Sequence, residues 1–249
     1  MNYETGRVRR QHVELATNPD DLHALEATLR LREQYGGTVT AVTMGPPQAA
    51  ASLREVLATG ADRGVLLCDE RFAGADTLLT SRVLCAALKK LEPYDVVAAG
   101  CHSVDGNTGQ VPVQVSQRAK IPLVKKVREM KLTGDAFWAK RNFGHEFQEI
   151  TAPLPVMLGV DKYWNKPRIP TLAGIRRAYG KELSTWDAEE LGFGLNFNCA
   201  RDSPTRVLRV FPLRHARKNE VISGTVDQQV ARVCEVLAAE NVLVKRVRE

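Results

Sequence analysis

The sequence predicts an α/β protein: an open parallel sheet with helices on both faces, followed by an extended C-terminal arm. Three observations carry this. Helix-type and strand-type patterns alternate with short connections through the first half of the chain. The strand segments are almost wholly apolar, as strands covered on both faces must be. Glycine, proline and aspartate mark the joints between segments. At 249 residues and 44% hydrophobic, the chain can bury one large domain with appendages, or two small ones.

The elements follow in order. Asn18-Pro19-Asp20-Asp21 opens a helix, with Asn18 suited to the N-cap and Pro19 to the first turn. Leu22, Leu25 and Leu29 repeat at helical spacing to about Gln34, and Gly36-Gly37 ends the run. Thr38 to Met44 reads as a strand stopped by Gly45-Pro46-Pro47. A helix from Gln48 to Thr59 closes at Gly60, and Gly64 to Cys68 is a short buried strand. Asp76 caps a helix that runs to Leu91. Asp95 to Gly100 is another apolar strand, and the next helix is expected near Thr108. Three strands, 123–130, 136–143 and 146–151, are joined by Thr133-Gly134-Asp135 and a turn at Gly144. Residues 155–160 form one more buried strand.

The texture changes after residue 160, which divides the chain into a domain over 1–160 and an arm over 161–249. Lys166 to Pro170 reads as a loop, Leu172 to Ala178 as a short helix, and Gly192 to Pro204 as irregular. A long irregular stretch inside a compact domain is unusual, so packing on another subunit is the expected use of the arm. The final helix, Val226 to Asn241, is amphipathic through Val230, Val233, Val236 and Leu237.

Charge and cysteine content exclude several classes. The formal net charge is +6, and the cations gather late in the chain: Arg176, Arg177, Arg206, Arg209, Arg214, Arg217, Lys218, Lys245 and Arg246. Aromatic residues are 6% and do not interleave with them, so a nucleic-acid platform is not expected. A docking surface for an acidic protein is the better reading. The five cysteines, Cys68, Cys85, Cys101, Cys199 and Cys234, show no CxxC spacing, which argues against a zinc site or a disulfide framework. Cys68 and Cys85 read as buried small hydrophobes. No apolar run approaches the ~18 residues of a membrane span, and the N-terminus lacks a signal-peptide pattern. A cytoplasmic location is expected by default.

The sharpest feature is the segment Gly100 to Val111, between a buried strand and a helix. In open α/β sheets ligands bind at that end of the strands. Gly106 and Gly109 permit close backbone approach, and the amides of the following helix suit a phosphate. Ser103, Asn107, Thr108 and Gln110 add neutral hydrogen-bonding groups. The plain alternative is an ordinary connection capped by Asn107 or Thr108. Met44 at the end of an earlier strand, and Asn18 to Asp21, would converge on the same crevice. Each of these also serves as a strand terminator or helix cap. The histidines His12, His23, His102, His145 and His215 have no ligand spacing, and Ser103 lacks a nucleophile elbow. No catalytic set emerges, which favours a protein that holds a cofactor over one that activates a nucleophile.

The runs NPDDLHALEATLRLRE, GGTVTAVTMGPPQA, LREVLATGADRGVLL, FAGADTLLTSRVL and SVDGNTGQV, in this order, resemble the electron-transfer flavoprotein beta subunit family. The likeness continues through LPVMLGVDKYWNKPRIPTLAGIRRA and SPTRVLRVFP. It implies an adenine-nucleotide-binding, Rossmann-like domain and a C-terminal arm that embraces an alpha subunit. It implies a carrier of electrons from a flavin-containing, acyl-CoA-type dehydrogenase, with no independent catalysis. The crevice would hold AMP in ordinary members and a second FAD in bifurcating ones, and Gly106 and Thr108 lean towards FAD. The contacts implied are Asn18, Pro19, Asp20, Asp21, Met44 and the loop Asp105, Gly106, Asn107, Thr108, Gly109, Gln110 and Val111. Gly100 and Ser103 join them by position. The dehydrogenase-docking stretch would be Pro170 to Lys181, with Leu172 as anchor beside Ile175, Arg176 and Arg177.

There are departures. The family's first apolar strand, central to its sheet, is missing, and MNYETGRVRR matches what usually follows it. Its loss is expected to leave two strand edges open. Either the true start lies upstream, or the strand comes from elsewhere, or the protein is altered. Cys101-His102 stands where a Lys-Gln pair is usual, and Pro112 where glycine is common. The signature hairpin turns at Asn142-Phe143-Gly144-His145 instead of an acidic-glycine pair. The competing expectations are a nucleotide-binding enzyme or sensor of the same fold, or a degenerate interaction module.

Overall fold

The computed structural model describes residues 16–162, 164–208, 211, 219–240 and 242. Helix α1 spans Pro19–Tyr35, with proline in its first turn and Asp20 and Asp21 at its positive end. Strand β1 (Thr40–Met44) leads through a short 3₁₀ turn into α2 (Ala50–Thr59), and β2 (Arg63–Leu67) follows. Helix α3 (Thr77–Lys90) is capped by Asp76, whose carboxylate accepts the Leu79 amide at 3.0 Å. Then come β3 (Val96–Gly100), α4 (Val111–Ala119), β4 (Leu123–Thr133), β5 (Ala136–Phe143), β6 (Glu146–Pro153) and β7 (Val156–Val160). Helix α5 (Leu172–Ala178), β8 (Leu183–Trp186), α6 (Cys199–Asp202) and α7 (Val226–Ala239) complete the order.

The α/β class is as expected, but the strands form two sheets. β1, β2 and β8 make a three-stranded parallel sheet. The other has the order β3-β7-β4-β5-β6. In it β3, β7 and β4 are parallel, whereas β5 and β6 are added as antiparallel hairpins. The tight turns at Gly134 (φ 58°) and Gly144 (φ 68°) can join only antiparallel neighbours, which makes this sheet mixed.

Among the described residues β1 is paired only with β2, and β3 only with β7. Helix α1 spans the division. Leu25 and Leu29 pack with Leu57, Ala58, Ala61 and Ala178, and against Ala41 of β1. Ala24, Ala27 and Leu31 pack with Val124, Phe137, Leu158 and Val160, and against Val96 and Ala98 of the β3 side. One helix thus feeds two cores. Among the described residues, the parallel edges of β1 and β3 without a second partner are those that the family's central strand is expected to join.

Strand β8 was not foreseen, and residues 183–199 are not loose. Ala188, Phe197 and Cys199 are buried with Val65, Leu67, Phe72 and Val83. Phe193 and Phe197 stack at 4.1 Å, and both meet Phe72 edge-on. The chain divides into two compact units, 1–209 and 210–249. In the second, α7 starts with a capping box between Thr225 and Gln228, and leaves Val226, Val230 and Val233 exposed. Arg209, Arg214, Arg217, Lys218, Asn241, Lys245 and Arg246 lie outside the described residues, as does the N-terminal stretch including His12. Cys101 and Cys199 are the buried thiols, whereas Cys68 and Cys85 are only half-buried.

Candidate functional site at the carboxyl end of β3

The start of α1 and the loop after β3 are locked together. The Gly100 amide donates to the Asp21 carboxylate at 2.6 Å. The Asn18 side chain donates to the His102 carbonyl at 2.9 Å and to Asp21 at 3.0 Å, and accepts from the Val104 amide at 3.2 Å. A Cβ at Gly100 would lie 2.5 Å from Asp20 Cβ, so glycine lets the helix seat directly on the strand end. Asn18, Pro19, Asp20 and Asp21 therefore reach the Gly100 loop. Loss of water raises the Asp21 carboxyl above its ordinary range, and the hydrogen bonds from Gly100 and Asn18 offset only part of that rise.

The loop is open. Ser103, Asp105, Gly106, Asn107, Thr108 and Gln110 are exposed. Asn107 (φ 49°) and Gly109 (φ 61°) are left-handed, which keeps the chain from entering a helix until Val111. Helix α4 thus starts later than Thr108, and its N-cap, Gln110, makes no side-chain cap; neither Asn107 nor Thr108 fills that role. Some amides are already engaged: Asn107 donates to the Ser103 carbonyl at 2.8 Å and Gly106 to the Asp105 carboxylate at 2.8 Å. Those of Thr108, Gly109 and Val111 find no acceptor among the described residues. A side chain at Gly106 would meet only Ser103 Oγ, at 3.8 Å.

Lys125, unmarked by any sequence motif, belongs to this site. Its ammonium donates to the Gly109 carbonyl at 3.1 Å from the third position of β4. A bulge at Lys126 (φ 58°) sets the direction of this strand end. Two lysines inside an apolar strand were the available signal. Thr77 at the start of α3 donates to Gln110 at 3.1 Å and accepts from Gln114 at 3.3 Å, which ties α3 to α4. His102 Nδ1 lies 3.9 Å from Asp20. Met44 ends β1 at the same end of the fold, but packs against the Val65–Leu67–Phe72 cluster. Open space, unused amides and one lysine suit a phosphate, with Asp20 and Asp105 leaving room for hydroxyl donors.

The second set of candidate residues lies on α5. Leu172 is 84% exposed and Ile175 45%, and Arg176 and Arg177 are exposed. The helix is held against α2: Gly174 abuts the Ala58 carbonyl, and Arg54 donates to the Ala178 carbonyl at 2.7 Å. The loop before it is clasped to α1 by Arg168, which meets Glu26 at 2.8 Å and Glu33 at 2.5 Å. Among the described residues no group of three or more His, Cys, Asp or Glu could hold a metal, and no helix is long and apolar enough to cross a membrane.

Residues 5–191 match the electron transfer flavoprotein domain. The chain is 38% identical over 235 residues to the electron transfer flavoprotein subunit beta of Thermoanaerobacterium thermosaccharolyticum, covering 94% of this chain and 90% of that one. It is 39% identical over 229 residues to the caffeyl-CoA reductase-Etf complex subunit CarD of Acetobacterium woodii, covering 92% and 87%. Protein FixA of Azorhizobium caulinodans is 38% identical over 227 residues, covering 88% and 81%.

Proposed function

The chain belongs to the electron transfer flavoprotein family as a beta-type, FixA-like electron-transfer subunit, and from that premise we propose that it holds an adenine nucleotide, FAD or AMP, in the crevice at the carboxyl end of β3. It does so as half of a heterodimer with an alpha-type subunit, and takes electrons from a flavin-containing, acyl-CoA-type dehydrogenase. The observation that carries the reading is the convergence of Asn18 to Asp21 on a loop with open space and unused amides. The amides of Thr108, Gly109 and Val111 would receive phosphate oxygens, and Lys125 fixes the backbone that presents them. Ser103, Asn107 and Gln110 would orient the rest of the ligand. When FAD is bound, its isoalloxazine supplies the redox chemistry, while this chain binds, orients and shields it.

Gly106 and Thr108 favour FAD over AMP, as they leave room that a bulkier loop would fill. The exposed Leu172, with Ile175, Arg176 and Arg177, would seat the dehydrogenase. The relative that is part of a caffeyl-CoA reductase complex supports a partner of that class. The test is to co-express the chain with its alpha-type partner, denature the purified complex and identify the released nucleotides by chromatography. We expect FAD or AMP at one per beta chain, reduced in Thr108→Asp. A stable complex that releases no nucleotide beyond the alpha subunit's own would sink the reading.

A further inference from the structure

A second polar cavity lies at the opposite end of the parallel strands. Its volume is about 620 Å³, and four cations line it, Arg32, Arg168, Arg177 and Lys181, with one carboxylate, Asp62. It forms where α1 and α2 end and where β2 and β8 begin. Ile169, 84% exposed, stands at its rim.

The charges are not balanced. Arg168 is matched outside the cavity by Glu26 and Glu33. Arg32 uses one nitrogen, Nη1, on Asp62 and on the Gly60 carbonyl, each at 2.9 Å. Lys181 donates to the Leu57 carbonyl at 2.9 Å and the Ala61 carbonyl at 2.5 Å, which closes the end of α2. An ammonium has three donors, so one remains. The Arg177 guanidinium has no partner among the described residues. Burial lowers the proton affinity of Lys181; Asp62 raises it, and Arg32 and Arg177 lower it again. The cavity wall thus gathers these three cations around a single carboxylate. Such a cluster is relieved by an oxyanion, which a guanidinium fork binds with two parallel hydrogen bonds.

We propose that this cavity is an anion site, distinct from the β3 crevice, in which Arg177, Arg32 and Lys181 hold a phosphate or carboxylate group. Arg177 supplies the fork from the exposed face of α5, and Thr171 adds a hydroxyl at the rim. The oxyanion comes either from a free phosphate compound or from an acidic side chain of a docked protein.

Titration calorimetry on the full chain distinguishes these. The titrations are run in about 0.15 M KCl to screen diffuse attraction, and the Arg177 comparison separates this cavity from the crevice amides. Inorganic pyrophosphate and an acetylated Glu-Glu-Leu peptide are then titrated separately. At least one is expected to bind, about tenfold more weakly to Arg177→Ala, and not measurably to Arg177→Glu. Lys89→Ala, remote from the cavity, should bind as the parent does. Binding of pyrophosphate alone identifies a free phosphate ligand; binding of the peptide alone identifies a partner's carboxylate. If neither binds, or Arg177→Glu binds unchanged, the proposal fails. A complex that releases no nucleotide would count against the β3 crevice only, since the Arg177 comparison stands without it.

Discussion

The chain leaves β1, β2 and β3 at the same end of the fold, in two different ways. After β1 and β2 the exits are sealed. The Gly45 amide donates to the Leu67 carbonyl at 3.1 Å, and a short turn leads straight into α2. Asp69 closes the β2 exit by binding Arg71 at 2.7 Å and the Ala188 amide at 3.0 Å. After β3 the chain instead makes a ten-residue excursion, exposed from His102 to Thr108, with left-handed residues at Asn107 and Gly109. All three exits carry polar or glycine residues. At the third, the unengaged amides of Thr108, Gly109 and Val111 lie on a largely exposed loop that the start of α1 holds in place. A crevice is thus marked by unused backbone groups held in place from outside, and a glycine alone says little.

The sharpest way to break this contrast is Gly100→Ala. The added carbon would overlap Asp20 and lift α1 off the strand end. We expect a loss of about 3 kcal/mol in denaturant unfolding, with loss of nucleotide from the purified complex. A variant of parental stability would mean that α1 is not seated as described.

Asp69→Asn tests the sealed exit. The Arg71 guanidinium, with the Arg71 and Ala188 amides, holds this carboxyl well below the usual carboxylate range against the cost of burial. A depressed value in the folded state gives stability that is full above the unfolded value of about 3.9 and fades as pH falls through it. The variant should therefore lose on the order of 2 kcal/mol at neutral pH, and the gap to the parent should narrow below pH 4. Nucleotide content should not change. A gap independent of pH would remove the charge from the explanation.

The smallest effect on stability is expected from Lys125→Met, which removes the bond to the Gly109 carbonyl. Unfolding should shift by about 1 kcal/mol or less, while nucleotide affinity falls about tenfold by fluorescence titration. Equal affinity would show that the loop keeps its shape unaided.

The first half of the fold was legible because its strands are apolar runs bounded by glycine, proline and capping aspartate, as at Asp76 and Gly60. Strand β8 was hidden because four residues, Leu183 to Trp186, carry too little alternation to rise above their polar flanks. The Phe193–Phe197 stack was missed for a related reason: its partners lie more than a hundred residues away, at Phe72 and Val83. At the site, the glycine-rich loop and Asn18 to Asp21 could be read from local patterns. The late start of α4 could not, since it follows from two left-handed residues. Lys125 could not either, since its role depends on a carbonyl sixteen positions earlier.

The divided sheet has a mechanical consequence. Where two sheets share no ladder among the described residues, the seam between them is held by side-chain packing, on α1 and where α3 meets α4, and packing yields under shear at lower load than rows of hydrogen bonds do. Amide protons on the outer rims of β1 and β3 should exchange with solvent well before those of β7, shut inside its sheet. Any extended chain able to slide beneath α1 would act as a zip, turning the softest line of the molecule into its stiffest.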